Sequence, residues 1–478
     1  MHAKDISKII QRFFSFEPTQ DQKELIDKLG VFFHETENED AFLIKGYAGT
    51  GKTTVVSALV KTFPYIDKKA VLLAPTGRAA KVLSEYSGMR AFTIHKKIYR
   101  VQTSKDGHTY LTLQQNKHRN TIFIVDEASM IPDMHHKGES GLFSGRSVLE
   151  DLILYINEGL NCNLILIGDT AQLPPVGSDI SPALDKDFLK GAFRLTITEH
   201  ELTMVVRQAK ESGILTNATH LREKIKDESF EVPFFNLEGF DDVQRISGTD
   251  LEDCLNNSYS TEERDNVVVI CRSNKRANIF NKEIRNRILF QEDEISAGDY
   301  MMVLRNNYFW LPEESETGFI ANGDIVEILK IRKIEEIYGF RFADITVQMI
   351  DFPDEKELEV KVMLDTIMLE TAALPFTENR KLWDEIMKDY EDVPLKRERL
   401  QKVKNSPYLN ALQVKYAYSL TCHKTQGGQW NTVFVDQGYM KEDMINTEFL
   451  RWLYTATTRA IKKLYFINFA DYFFEEEK

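Results

Sequence analysis

Short runs of apolar residues recur along the first part of the chain, each followed by glycine, proline or an acid. They are Ala41-Phe-Leu-Ile-Lys45, Ala70-Val-Leu-Leu-Ala74, Thr121-Ile-Phe-Ile-Val125 and Asn163-Leu-Ile-Leu-Ile167. Runs this short and this continuously apolar predict strands buried on both faces. Between them the period changes. Val55, Val56, Leu59 and Val60 mark one helical face over 54–63, and Leu25, Ile26, Leu29, Phe32 and Phe33 mark another over 17–35. Strands alternating with helices predict a parallel sheet whose carboxyl edge gathers Gly46, Asp126-Glu127 and Gly168-Asp169 into one site.

A second α/β block is expected from near residue 196. Its strands are Asn266–Cys271, Val414–Thr421, Thr432–Val435 and Lys463–Ile467, with helices over Asn274–Leu289 and Thr447–Ala460. Two segments break the alternation. Residues 99–113 read as a hairpin around Asp106-Gly107, projecting between two sheet strands. Residues 296–371 read as short antiparallel strands with glycine turns, a small barrel-like insert. Charge of both signs fills 378–404, broken at Pro394, which suits a solvated helical hairpin.

Composition changes little in this picture. A chain of 478 residues, 42% hydrophobic, has room for several packed domains. Cys162, Cys254, Cys271 and Cys422 lack metal-site spacing, and His135-His136 reads as a loop. No signal-peptide core or membrane-length apolar run is evident, so a cytoplasmic protein without membrane attachment is expected. The net charge of −14 opposes indiscriminate attraction to polyanions, yet a groove can carry its own Lys, Arg and backbone N–H groups.

The chemistry starts at Gly46-Tyr-Ala48-Gly49-Thr50-Gly51-Lys52-Thr53-Thr54. This is the G-x-x-x-x-G-K-[ST] loop, whose N–H groups close around phosphates while the Lys reaches the β/γ-phosphates and the hydroxyl holds Mg²⁺. The strand before it and the helix after it supply the required context. Asp126 stands where a triphosphatase places its second Mg²⁺ oxygen ligand, and Glu127 is free to orient and deprotonate water. Gln172, after Gly168-Asp169, suits γ-phosphate sensing or the stabilising of a turn. Phosphoryl transfer also calls for an arginine from outside the loop. Arg207 and Arg459, both in the second block, are candidates that would close a nucleotide into a cleft between blocks.

Taken in order, Gln22, the phosphate loop, Ala-Pro75-Thr76-Gly-Arg-Ala-Ala-Lys, Thr93-Ile-His95-Lys, Val-Asp126-Glu127-Ala-Ser, Gly-Asp169-x-x-Gln172-Leu-Pro-Pro, Val-x-Arg207-Gln, Leu-Thr421-Cys-His423-Lys424-Thr-Gln426-Gly427 and Tyr454-Thr-Ala-x-Thr-Arg459-Ala span residues 19–461. The set resembles superfamily-1 helicases, on the 5′→3′ branch of RecD and Dda type. The resemblance implies an α/β fold of two RecA-like parallel-sheet domains, with an inserted pin hairpin and an SH3-like β insert. Its domains would be 1–195, with the pin at about 97–119; 196–290 with 410–478; and the insert 291–409, carrying a charged helical hairpin at about 372–405.

The resemblance also implies roles. Gln22 would contact adenine, Lys52 the phosphates, and Thr53 and Asp126 the Mg²⁺. Glu127 would handle the attacking water, Gln172, Arg207 and Arg459 the γ-phosphate, and Gln426 and Gly427 the link from nucleotide to DNA. Pro75, Thr76, Thr93, His95, Thr421, His423 and Lys424 would lie along the single strand. Tyr110, Phe309 and Trp310 could stack on bases or simply pack locally. The implied activity is an ATP- and Mg²⁺-dependent DNA helicase acting on single strands, duplexes and forks, active as a monomer, with partners in replication or recombination. The alternatives are a P-loop ATPase used as a regulatory switch, a helicase subunit of a recombination nuclease, and a single-strand binder with a decayed ATPase. The intact catalytic positions oppose the last.

Overall fold

The computed structural model describes residues 1–35, 40–103, 109–133, 147–206, 211–311, 319–352, 355–441 and 444–474. Six strands, in spatial order Ala91–Thr93, Lys69–Ala74, Arg119–Val125, Leu160–Gly168, Asp40–Gly46 and Thr196–Leu202, form one parallel sheet. Alternate side chains divide between two cores. Phe42, Ile44, Leu72, Ile124 and Ile167 face the helices Gln20–Glu35, Lys52–Thr62 and Gly77–Ser87. Leu43, Leu73, Phe123, Val125 and Leu166 face Val148–Glu158 and Lys186–Phe193. Burial on both faces explains why these strands lack alternation.

The strand Thr196–Leu202 corrects one expectation. It pairs with Asp40–Gly46 from Asp40↔Thr196 to Gly46↔Leu202, so the first domain runs past residue 195. As an edge strand it buries only some positions, and its Thr, Glu and His residues hide it from a search for apolar runs. The amino-terminal segment also exceeds expectation. Ala3–Arg12 is a helix whose Ile6 and Ile10 join the same core, crossing so close to Gly30 that a Cβ there would lie 2.2 Å from Ser7 Oγ.

The second parallel sheet has the order Ser419–Thr421, Val267–Cys271, Trp430–Asp436, Ala460–Ile467, Val243–Ile246. Helices Gly213–Lys226 and Thr447–Thr457 cover one face, and Asn274–Glu283 with Leu251–Thr261 cover the other. Both sheets are RecA-like in layering, with helices on each face. Inserted in the chain between the second sheet's strands Val267–Cys271 and Ser419–Thr421 is a closed barrel of Tyr300–Val303, Ile325–Ile337, Phe340–Met349, Leu358–Met363 and Leu412–Tyr416, the SH3-like insert.

The barrel also corrects the expected strand 414–421 and the boundary at 410. Leu412–Tyr416 pairs with Tyr300–Val303 and belongs to the barrel, whereas Ser419–Thr421 enters the second sheet. The apolar pattern continues through the joint because Tyr418 is itself buried there, donating its hydroxyl to Asp299 Oδ1 at 3.0 Å. The helices Phe376–Lys388 and Lys396–Lys404 seat Leu382, Ile386 and Val403 against Phe340 and Phe342 at one end of the barrel. Tyr99–Thr103 pairs with Thr109–Leu113 as a hairpin rooted in the first core, where Tyr99 donates its hydroxyl to Asp151 Oδ2 at 2.7 Å.

Candidate active site

Gly46 ends its strand, and Gly49 and Gly51 take φ of 74° and 87°, left-handed values that favour glycine. The chain thereby turns its amides inward before the helix starts at Lys52. Lys52 Nζ donates to the carbonyls of Gly46 at 2.6 Å and Tyr47 at 2.9 Å, and stands 3.9 Å from Asp169 Oδ2. Thr50 is buried and donates its hydroxyl to Tyr47 O, which makes it a builder of the loop. Thr53 is exposed on the first helical turn, with Thr54 half-buried beside it. Gln22 lies against the loop, donating Nε2 to Thr50 O at 2.9 Å and accepting from Thr19 N at 3.0 Å. A side chain at Gly51 would meet that amide at 2.4 Å.

The acids occupy the ends of the next two strands, Asp169 beside the loop's strand and Asp126-Glu127 one strand further. Asp126 accepts from the Glu127 amide at 2.9 Å and from the Tyr86 hydroxyl at 2.5 Å, which fixes its carboxylate. Glu127 adopts φ 52°, a strained backbone for a residue with a Cβ and common where function dictates direction. Burial pushes its carboxyl up; Arg459 and Lys52 oppose this, and Asp126 and Asp169 reinforce it. Gln172 is buried, and its Oε1 has no hydrogen-bond partner among the described residues. An orphaned polar end on a residue that shares a cavity with Asp169 fits a group awaiting a ligand. A cavity of about 320 Å³ opens beside Ser129, Asp169, Gln172 and Arg451.

The second core reaches directly into this cluster. Arg459 is buried, held by the carbonyls of Thr455 at 3.0 Å and Gly428 at 3.1 Å, and its Nη1 lies 3.9 Å from Glu127 Oε1. Gln426 donates Nε2 to Leu173 O at 2.6 Å, and Thr455 Oγ1 accepts from Leu173 N at 2.9 Å. Gly427, at φ 73°, comes so close to the first core that a Cβ would stand 2.7 Å from Ala79 Cβ and 3.3 Å from Thr76 Oγ1. Lys52, Glu127, Gln172, Arg459, Gln426 and Gly427 thus meet at one interface. Arg207 lies outside the described residues, although Val206 N donates to Gly49 O at 3.0 Å. Reading the sequence alone passed over Tyr454 and Thr455 as contacts, although both stand in the motif ending at Arg459.

The expected strand contacts fare unequally. Pro75 and Thr76 are half-buried at the start of the helix Gly77–Ser87, which Thr76 caps by accepting from Ala79 N. Thr93 is a correction: it is 2% exposed and its hydroxyl accepts from Lys96 N, capping the helix Ile94–Ile98. Its part is to set that helix, which carries His95, half-buried and 5.6 Å from the Tyr99 ring. Thr421 and His423 are half-buried, and burial lowers the His423 pKa. Lys424 donates to Asn322 Oδ1 in the barrel at 2.7 Å. The side chain of Tyr110 lies outside the described residues. Trp310 packs within the barrel, donating Nε1 to Asn410 O at 2.7 Å, with the partly exposed Phe309 edge-on against it.

A second charged cluster joins the first core to the barrel. Asp324 Oδ2 is 3.8 Å from Lys96 Nζ, and Asp351 Oδ1 is 3.9 Å from Arg78 Nη1. Arg78 also donates to Asp265 O at 2.8 Å and covers the Trp430 ring at 4.6 Å, so it touches all three bodies. Burial raises Asp324 to about 6, against the opposing pull of Lys96 and the Ala321 amide. With the folded value raised, the stability this carboxyl contributes is full below its ordinary 3.8 and is lost as pH rises through about 6. Thermal melts of the wild type and Asp324→Asn from pH 4 to 7 should therefore show the variant gaining on the wild type as pH rises. A pH-independent difference would mean that Asp324 does not titrate in this window.

A phosphate loop and acids on one parallel sheet, faced by an arginine from a second, define a P-loop ATPase built around a cleft between two cores. The chain matches the AAA domain over residues 19–233 and the UvrD-like helicase C-terminal domain over 416–467. Together with the ordered motifs across both cores, these matches support a helicase of superfamily 1 on the 5′→3′ branch. An uncharacterized protein of Acanthamoeba polyphaga mimivirus is 23% identical over 92% of this chain and 98% of its own length. The ATP-dependent DNA helicase dda of Enterobacteria phage T4 is 24% identical over 68% of this chain and 73% of its own. The ATP-dependent RecD2 DNA helicase of Deinococcus radiodurans is 28% identical over 42% of this chain and 24% of its own. Among solved structures, Pif1 helicase from Bacteroides in complex with ADP-AlF3 and ssDNA covers 97% of this chain and 95% of that one, at 14% identity and a TM-score of 0.46. Among the described residues, no helix is long and apolar enough to cross a membrane.

Proposed function

We propose that the chain hydrolyses ATP to move 5′→3′ along single-stranded DNA and to separate duplex strands ahead of it. The observation that carries this reading is the approach of Arg459, on the second core, to within 3.9 Å of Glu127 on the first. A nucleotide bound at Lys52 would thus be sandwiched between cores, and its hydrolysis would change how they meet. The DNA polarity comes from the family.

The residues fit a nucleotide-borne Mg²⁺. Among the described residues no cluster of three or more His, Cys, Asp or Glu could hold a metal ion unaided. That suits an ion held by one or two protein oxygens plus substrate phosphates. Thr53 and Asp126 would supply those oxygens, and the ion would neutralise charge on the β/γ-phosphates. Lys52 would leave its two carbonyl partners for the phosphates. Glu127 would orient and deprotonate the attacking water, with Gln172 beside it. Arg459 would stabilise charge spreading over the γ-oxygens.

Closure around ATP and opening after its hydrolysis would alternate the grip on the DNA backbone. The first core would hold it from Thr76 and His95, and the second from Thr421 and His423. Gly427 against Thr76 and Gln426 against Leu173 would couple that grip to the nucleotide.

The test is ATP hydrolysis with and without single-stranded DNA, followed by displacement of duplexes bearing only a 5′ or only a 3′ tail. Strong stimulation, with displacement confined to the 5′-tailed duplex, is expected. Hydrolysis indifferent to DNA in folded protein would favour the regulatory switch instead.

A further inference from the structure

We infer that Tyr454 is a positioning residue whose hydroxyl competes with a phosphate oxygen for a phosphate-loop amide and reports the loop's occupancy to Arg459. The inference rests on the function proposed above. Its ring is 1% exposed, at the interface between cores. The hydroxyl donates to Asp169 Oδ2 at 2.7 Å and accepts from the Ala48 amide at 2.9 Å. Ala48 is part of the phosphate loop, so a loop N–H shaped for an anion is satisfied by a phenol from the other core. Burial, with Asp169 adding to it, holds the phenol well above its ordinary pKa, so it keeps the proton it donates.

Two features make this contact a transmitter and more than packing. Asp169 Oδ2 is also 3.9 Å from Lys52 Nζ, so one carboxylate oxygen serves both the lysine and Tyr454. Tyr454 also sits on the helix Thr447–Thr457, whose next residue, Thr455, accepts from Leu173 N and whose end leads into Arg459. A phosphate oxygen is a charged acceptor and outcompetes a phenol for an amide. Arriving phosphates would take Ala48 N–H and draw Lys52 from Asp169. The phenol would keep only Asp169, and the helix carrying it would resettle against the first core with Arg459 at its end. When no phosphate takes it, the same hydroxyl keeps this part-buried loop N–H from being orphaned.

The test begins with the wild type, whose DNA-stimulated hydrolysis must be seen first; its absence would count against the function itself. In Tyr454→Phe the competitor for Ala48 is gone, so KM for ATP should fall about threefold or more, while DNA-stimulated kcat falls about tenfold because Arg459 is no longer set by loop occupancy. A KM that rises or stays put alongside a lower kcat is the signature of loosened packing and would overturn the inference, as would a variant with unchanged constants. A second reading keeps the hydroxyl: 3-fluorotyrosine placed at position 454 should shift its ¹⁹F resonance when a non-hydrolysable ATP analogue saturates the site. A resonance unmoved by a bound analogue would equally sink the proposal.

Discussion

Arg459→Ala is expected to lower DNA-stimulated ATP hydrolysis by about 10³-fold or more, the range by which a transition-state arginine accelerates phosphoryl transfer. Strand displacement should vanish with it. Binding should survive, because Arg459 is held by its own core through Thr455 O and Gly428 O, and the loop, Gln22 and Lys52 remain on the other. Fluorescent-nucleotide titration beside single-turnover hydrolysis separates the two. Arg459→Lys refines the test. It keeps the charge near Glu127 but loses the fork that satisfies two carbonyls and still points a nitrogen into the cleft, so it should recover little. Full activity in the lysine variant would reduce the role to a point charge. Lost binding in the alanine variant would make Arg459 a structural tie between cores.

How far that cleft was legible in the sequence depended on what fixed each residue. Phosphate chemistry dictates both residue type and spacing at Gly46–Thr53, and a buried parallel sheet dictates the apolar runs that end in Asp126 and Asp169, so both stood out. Thr196–Leu202 did not, because an edge strand needs only part of its side chains inside. The strand Leu412–Tyr416 was merged with Ser419–Thr421 because burial of Tyr418 carries the apolar pattern across a change of sheet.

Side-chain partnerships were the least legible. Thr93 has the look of a surface hydroxyl and is a buried cap. Tyr454 looks like any core aromatic, and only the structure places its hydroxyl on Ala48 N and Asp169. The pairings of Lys96 with Asp324 and Arg78 with Asp351 join parts of the chain far apart in sequence, with no local pattern to announce them.

Glu127→Gln should separate closing the cleft from using it. Glutamine keeps the length and the oxygen that faces Arg459, while losing the capacity to take a proton from water, and general-base losses run to about 10²–10⁴-fold. Nucleotide affinity should change little, since Lys52 and the loop amides are untouched. The pH profile gives a sharper reading. Glu127 works only unprotonated, and burial together with Asp126 and Asp169 lifts its pKa above 4.5 against the pull of Arg459 and Lys52. Wild-type kcat/KM, which reports the free enzyme, should therefore rise with pH along a limb set above the ordinary carboxylate range, and the glutamine variant should lose that limb along with its rate. A variant that hydrolysed ATP within about tenfold of wild type, limb intact, would leave Glu127 as ballast for Arg459 and transfer the positioning of water to a group such as Gln172, whose buried Oε1 lacks a partner among the described residues.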